Sequence, residues 1–134
     1  MQIATQLGIF LENRPGTLAK VCNELAKAKI NILAMSVSDT VDHAVIRLVV
    51  DETAKAMHIL GERGLIVIER EVIIANIPNK PGILGKVADV LSRAKVNIEY
   101  AYCTADSALN TGTLILRVSN ARKGLSALKK MKQL

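Results

Sequence analysis

The chain has 134 residues, half of them apolar, 22% charged and 2% aromatic, with a net charge of +6. That composition excludes a disordered chain, and no stretch approaches the run of about eighteen apolar residues that a membrane span requires. The opening "MQIATQLGIFLENRPG" lacks the basic flank and apolar run of a secretory signal, so a cytoplasmic protein is expected, with no membrane partner.

The first apolar run, Ile3–Leu11, is short and branched enough to read as a strand. "NRPG" then turns the chain, and apolar residues switch to helical spacing at Leu18, Val21, Leu25 and Ala28. "INILAMSVS" and "HAVIRLVV" follow as a predicted hairpin, "ETAKAMHILGER" from Glu52 as a second helix, and "GLIVIE" as a fourth strand.

The same order then begins again. "LENRPGTLAKVCNELAKAKINI" (11–32) returns as "IPNKPGILGKVADVLSRAKVNI" (77–98), with identities that include Asn13/Asn79, Pro15/Pro81, Gly16/Gly82, Lys20/Lys86, Leu25/Leu91, Lys29/Lys95 and Asn31/Asn97. "VNIEYAYCT" and "TLILRVS" form the second hairpin, joined by a longer loop with an Asn-Thr-Gly turn, and "ARKGLSALKKMK" the second helix. Each copy therefore reads strand, helix, strand, strand, helix, strand. This is an α+β fold of two ferredoxin-like βαββαβ units with antiparallel four-stranded sheets and both helices on one face. The expected domains are 1–69 and 70–134, and the second lacks most of its last strand because the sequence stops soon after its second helix. Something must guard that sheet edge, such as a swapped strand, another subunit or a very short strand. Several strands are apolar on both faces, which predicts a homodimer or higher homo-oligomer. Arg47 and Arg117 fall opposite the apolar positions of their strands, where solvent exposure or a cross-sheet ion pair is expected.

The chemistry that can be excluded is broad. Cys22 and Cys103 form no CxxC pair and do not occupy matching positions, so buried reduced thiols are expected. His43 and His58 have no partner at a catalytic spacing, no ligand cluster suggests a metal, and no cofactor is implied. The charge excess is local: residues 1–68 hold seven basic and seven acidic side chains, residues 69–134 eleven and five. Arg122, Lys123, Lys129, Lys130 and Lys132 read as a solvated helix face complementing the helix dipole. Nucleic acid is an unsuitable partner, because Phe10, Tyr100 and Tyr102 are too few aromatics to stack bases.

The two turns carry the remaining signal. Glycine at 16 or 82 lets the backbone approach a guest, and the N–H groups of the following helical turn favour a carboxylate. Asn13 and Asn79 stand where an amide can cap the helix or hold an amino or carboxylate group. Strand, "ENRPGTLAKV", helix, "INI", strand resembles an ACT domain, the small-molecule-sensing module of amino-acid-regulated enzymes, and both copies match. The chain is similar to stand-alone tandem ACT proteins, which carry no catalytic domain, and so is expected not to be an enzyme.

The resemblance implies a small amino acid ligand at the interface between ACT units, where the first turn of one unit meets the start of strand two of its neighbour. Carried over, the ligand-binding residues are Asn13, Gly16 and Asn31 in the first copy and Asn79, Gly82 and Asn97 in the second. If the repeats pair, Asn13 and Gly16 would act with Asn97, and Asn79 and Gly82 with Asn31. A regulated enzyme is the implied partner. The alternative is a ligand-free subunit that docks on another protein through ACT–ACT contacts. Serine-binding versions of the motif place a histidine just ahead of the first asparagine. Leu11 stands there in the first copy and no histidine precedes Asn79 in the second, which points to a more apolar ligand or a site that has lost its ligand.

Overall fold

The structure, a computed structural model, describes residues 1–39 and 43–131. The chain forms two compact units, one of Thr5–Arg70 and one of Met1–Ala4 with Glu71–Leu134.

The first unit takes Thr5–Glu12 from β1 (Gln2–Glu12), then α1 (Thr17–Lys27), β2 (Ile32–Asp39), β3 (His43–Val50), α2 (Thr53–Glu62) and Ile66–Arg70 from β4 (Ile66–Pro78). The strands lie in the order β2-β3-β1-β4, as a ferredoxin-like βαββαβ unit requires. Leu7 pairs with Leu48, Ile9 with Ile46 and Leu11 with Ala44 in the antiparallel register. Because side chains alternate along a strand, these pairs share one face. On that face they form one core with Val21 and Leu25 of α1 and Ala56 and Leu60 of α2.

The second unit repeats the plan with Glu71–Pro78 of β4, α3 (Ile83–Arg93), β5 (Ile98–Asp106), β6 (Thr111–Val118) and α4 (Ala121–Lys129). Ile73 pairs with Leu116 and Ala75 with Leu114, and the core adds Val87 and Leu91 of α3 and Leu128 of α4. No strand follows α4 among the described residues. The fourth-strand position falls instead to the start of the chain: β1 neighbours β4, Met1–Ala4 belong to this unit, and Met1 packs on its core. The expected division at 69/70 had left those four residues with the first repeat. Their partner is some seventy positions distant in sequence, and no local pattern announces so remote a pairing.

Helices α1 and α3 stop in the same way. Lys29 and Lys95 adopt left-handed backbone at φ 60° and 59°. The N–H of Ile30 donates to Leu25 O at 3.0 Å and that of Lys29 to Ala26 O at 2.9 Å. In the second copy Val96 donates to Leu91 O and Lys95 to Ser92 O, both at 2.9 Å. These are Schellman closures, and Ile30 and Val96 beyond them are buried, which anchors the exit from each helix.

Several side chains sit differently from their sequence pattern. In α3 it is Ile83 that enters the core, while Leu84 is exposed. The cysteines are free but not buried, Cys22 being half-buried and Cys103 exposed on the outer strand β5. Arg47 donates to Ser38 Oγ at 3.0 Å, and Arg117 to Glu71 O at 2.9 Å with Glu99 at 3.5 Å, so both make cross-strand contacts. On the strand faces turned from the helices, Val49 and Ile115 are nonetheless buried. Among the described residues no buried side-chain nitrogen or oxygen lacks a hydrogen-bond partner.

Two tests follow from this arrangement. A left-handed residue other than glycine carries a backbone cost, so Lys29→Gly should raise unfolding free energy by about 1 kcal/mol in urea titrations. Deleting Met1–Ala4 should lower hydrogen-exchange protection across Glu71–Pro78 more than across α2.

Candidate functional site

Each helix that follows a first strand begins on a left-handed glycine. Gly16 has φ 90° and ψ −13°, and Gly82 has φ 89° and ψ −12°. A Cβ built at either position would meet nothing within 4 Å. The glycines are therefore required by backbone conformation, with open space outside them.

Neither α1 nor α3 has a side-chain N-cap, and neither carries an acid in its first turn. The cap position in each helix belongs to the glycine three residues after Asn13 and Asn79. In the first unit the Thr17 hydroxyl donates to Glu12 O at 3.0 Å or Arg14 O at 3.1 Å, which closes the turn on itself. Ile83 replaces that threonine in the second unit and enters the core instead. There the Asn79 N–H donates to Asn110 O at 2.8 Å, tying the turn to the β5–β6 loop. Asn110 is itself left-handed at φ 52°, and Asp106 Oδ1 accepts from the N–H groups of Ala108 and Leu109, so the loop is internally braced. The N-terminal turns place backbone donors at the positive end of the helix dipole, on a cap residue that has no side chain of its own.

Asn31 and Asn97 occupy matching places at the entrance to β2 and β5. Asn31 N–H donates to Asp51 Oδ1 at 3.0 Å while Asp51 N–H donates to Asn31 O at 3.1 Å. In the other unit Asn97 N–H donates to Ser119 Oγ at 3.0 Å and Ser119 N–H to Asn97 O at 2.9 Å. Asp51 and Ser119 were not singled out in the sequence, yet each fixes an asparagine backbone at the sheet edge. Their signal was positional: a short polar residue ends each apolar run of β3 and β6.

All six predicted residues are exposed. Within one unit, the turn and the strand-two asparagine lie at opposite ends of an eleven-residue helix, about 16 Å apart at 1.5 Å per residue. A single unit does not bring them together. His58 meets Glu62 at 3.2 Å on the surface of α2, and Arg122, Lys123 and Lys129 of α4 and Lys130 at its end are exposed. Lys132 lies outside the described residues. Among the described residues no group of three or more His, Cys, Asp or Glu side chains could hold a metal ion, and no helix is long and apolar enough to cross a membrane.

Two βαββαβ units, each with an open glycine turn between its first strand and helix, define an ACT-type architecture. The chain belongs to the ACT domain pair family, whose model matches residues 1–133. ACT domains are regulatory modules, not catalytic ones. The chain is similar in structure to protein BT0572 from Bacteroides thetaiotaomicron, with 37% identity over 96% of this chain and 88% of that one and a TM-score of 0.90. It shares its fold with the ligand-free regulatory subunit of aspartate kinase from Thermus thermophilus, at 19% identity, 97% of both chains and a TM-score of 0.70. The regulatory subunit of aspartate kinase from Thermus flavus is similar at 18% identity, 97% and 96% coverage and a TM-score of 0.64. No curated protein sequence matches the chain.

Gly16→Ala and Gly82→Ala should each cost about 1–2 kcal/mol in chemical unfolding, from backbone strain with no clash. Gly124 is the contrasting case, since a Cβ there would lie 3.1 Å from Ile73 Cδ1 and 3.3 Å from Leu91 Cδ2. Gly124→Val should therefore cost more, about 3 kcal/mol of overpacking on the second core.

Proposed function

We propose that the chain is a regulatory module that binds a small amino acid at the interface between ACT units and transmits occupancy to a partner enzyme. The observation that carries this reading is the duplicated turn, in which a left-handed glycine precedes a helix with neither a side-chain cap nor an acid in its first turn. Backbone donors at a helix N-terminus suit a carboxylate, and an asparagine amide can meet either end of a zwitterion. Because the turn and the strand-two asparagine of one unit are about 16 Å apart, a ligand touching both belongs to two units at once.

That requirement supplies the coupling. A ligand shared between units favours the arrangement in which both halves of its site are together, and only such differential affinity can shift an equilibrium. The fold shared with aspartate kinase regulatory subunits supports an enzyme as the partner. Pairing with a second copy is part of the same proposal. The outer strand β2 carries the exposed side chains Leu33, Met35 and Val37, an apolar edge of the kind that recruits another strand.

A thermal-shift screen against the twenty amino acids at millimolar concentration tests the reading. A rise of several degrees with one or a few chemically related amino acids is expected. Gly16→Val should abolish that response at its site while leaving the chain folded. A flat response from folded protein would sink ligand sensing and favour a docking subunit without a ligand. If the site is shared, Asn13→Ala and Asn97→Ala should show coupled losses of affinity in a double-mutant cycle, and independent losses would separate the two residues.

A further inference from the structure

Helices α3 and α4 of the second unit lie side by side, and an open groove of about 690 Å³ runs between them. Its floor is apolar, formed by the half-buried side chains of Val90, Ala94, Ala127 and Met131. Its rim is basic. On α3, Lys86 and Arg93 flank Val90 at i, i+4 and i+7, and Lys123 and Lys130 flank Ala127 on α4 at a like spacing, so each helix presents one stripe of cation, apolar residue and cation. Seven residues of helix rise about 10 Å, and packed helices lie about 8–10 Å apart. Four cations thus frame an apolar floor.

The matching face of the first unit is neutralised. Residues 17–29 with 52–63 carry five lysines and arginines and three carboxylates, whereas residues 83–95 with 120–131 carry seven and one, the acid being Asp89. In the first unit Arg63 reaches across to Glu24 at 2.8 Å, Lys27 meets Glu24 at 3.6 Å and Lys55 meets Glu52 at 3.7 Å. Aligning the buried Leu25 with Leu91 and Leu60 with Leu128 puts Val90 in the place of Glu24, Met131 in that of Arg63 and Lys130 in that of Glu62. The ion pair between helices has become apolar floor, and an acid has become a cation. Among the described residues, no cation of α3 or α4 makes an ion pair of the kind the first unit uses. Charge of one sign with no internal partner raises the potential over the groove and draws an acidic surface to it.

The occupant must supply carboxylates and apolar groups together. A second copy does not, because the helix face of its first unit carries more cations than acids. A nucleic acid backbone has no apolar surface to set against Val90 and Met131, and neither helix carries an aromatic residue on which a base could stack. A membrane surface calls for large apolar side chains projecting among the cations. On these helices Leu84 is the exposed large hydrophobic among the described residues, and it lines the gap between α3 and β5 instead. An amphipathic helix of another protein, with carboxylates two turns apart beside an apolar stripe, meets both needs.

We propose that the α3–α4 face of the second unit is a docking surface for an acidic amphipathic helix of a partner protein, its carboxylates against Lys86, Arg93, Lys123 and Lys130 and its apolar stripe over Val90 and Met131. This goes beyond the amino acid reading and holds whether or not the glycine turns take a ligand.

The test is a fluorescence-anisotropy titration of the full chain against a labelled synthetic helix with a leucine stripe flanked by glutamates, and against a scrambled peptide of the same composition. The amphipathic peptide should bind about tenfold tighter than the scramble. Its affinity should fall about tenfold in Lys86→Glu/Arg93→Glu and stay unchanged in Lys20→Glu/Lys27→Glu, the equivalent reversal on α1. Val90→Ser should weaken the amphipathic peptide and leave the scramble unaffected. Thermal unfolding of each variant separates loss of binding from loss of fold. Equal affinity for the two peptides, with no effect of Val90→Ser, would reduce the face to diffuse charge attraction and overturn the groove. Equal losses in the α1 and α3 reversals would overturn its assignment to the second unit. Tighter binding of a DNA duplex, or of vesicles containing phosphatidylserine, than of the peptide would overturn the partner class. Failure of the folded chain to bind the peptide would overturn the proposal while leaving the amino acid reading to its own screen.

Discussion

A positive φ at one residue sets the geometry of each unit. At Gly16 and Gly82 the chain leaves an extended strand and enters a helix within a few residues, and left-handed backbone there accomplishes the reversal. Once the helix starts at that point, its 3.6-residue period decides what faces the sheet: Val21 and Leu25 in α1, Ile83, Val87 and Leu91 in α3. A helix beginning one residue later would rotate its apolar stripe by about 100° and turn Cys22 and Ala26 to the sheet in place of Val21 and Leu25. The same glycine leaves the first N–H groups open, so one backbone requirement produces both the core register and the donors proposed to hold a carboxylate. Fold and proposed function draw on a single conformation.

This explains which features could be read along the chain. Local chemistry was legible: "NRPG" and "NKPG" mark the turns, helical spacing marks α1 and α3, and alternating apolar residues mark β3 and β6. Features formed between distant segments were not. The fourth strand of the second unit comes from Met1–Ala4, and the clamps on Asn31 and Asn97 come from residues at the ends of β3 and β6. Each depends on loop closure over tens of residues, for which a window of sequence has no signature. The exposure of Cys103 belongs to the same class, because only the strand order places β5 at the edge.

The candidate residues divide along the same line. Gly16 and Gly82 could be assigned from residue type, since glycine after proline before an apolar helix leaves few alternatives. Asn13 and Asn79 could not, because an asparagine amide suits a cap as well as a ligand, and the two roles differ by a shift of three residues in the cap position. The structure places glycine, not asparagine, at the cap position in both copies.

The two copies have kept their scaffold and diverged at their surfaces. Both retain the left-handed glycine, the Schellman closure at lysine and the reciprocal clamp at the start of the second strand. Around these constants the polar partners differ: Thr17 against Ile83, Asp51 against Ser119, and Leu33 against the Glu99 that meets Arg117. Backbone conformations of this kind are held in common because every core contact depends on them, whereas a rim charge affects only what lies beside it. Divergence away from these backbone constants lets two copies of one scaffold differ without altering how either folds.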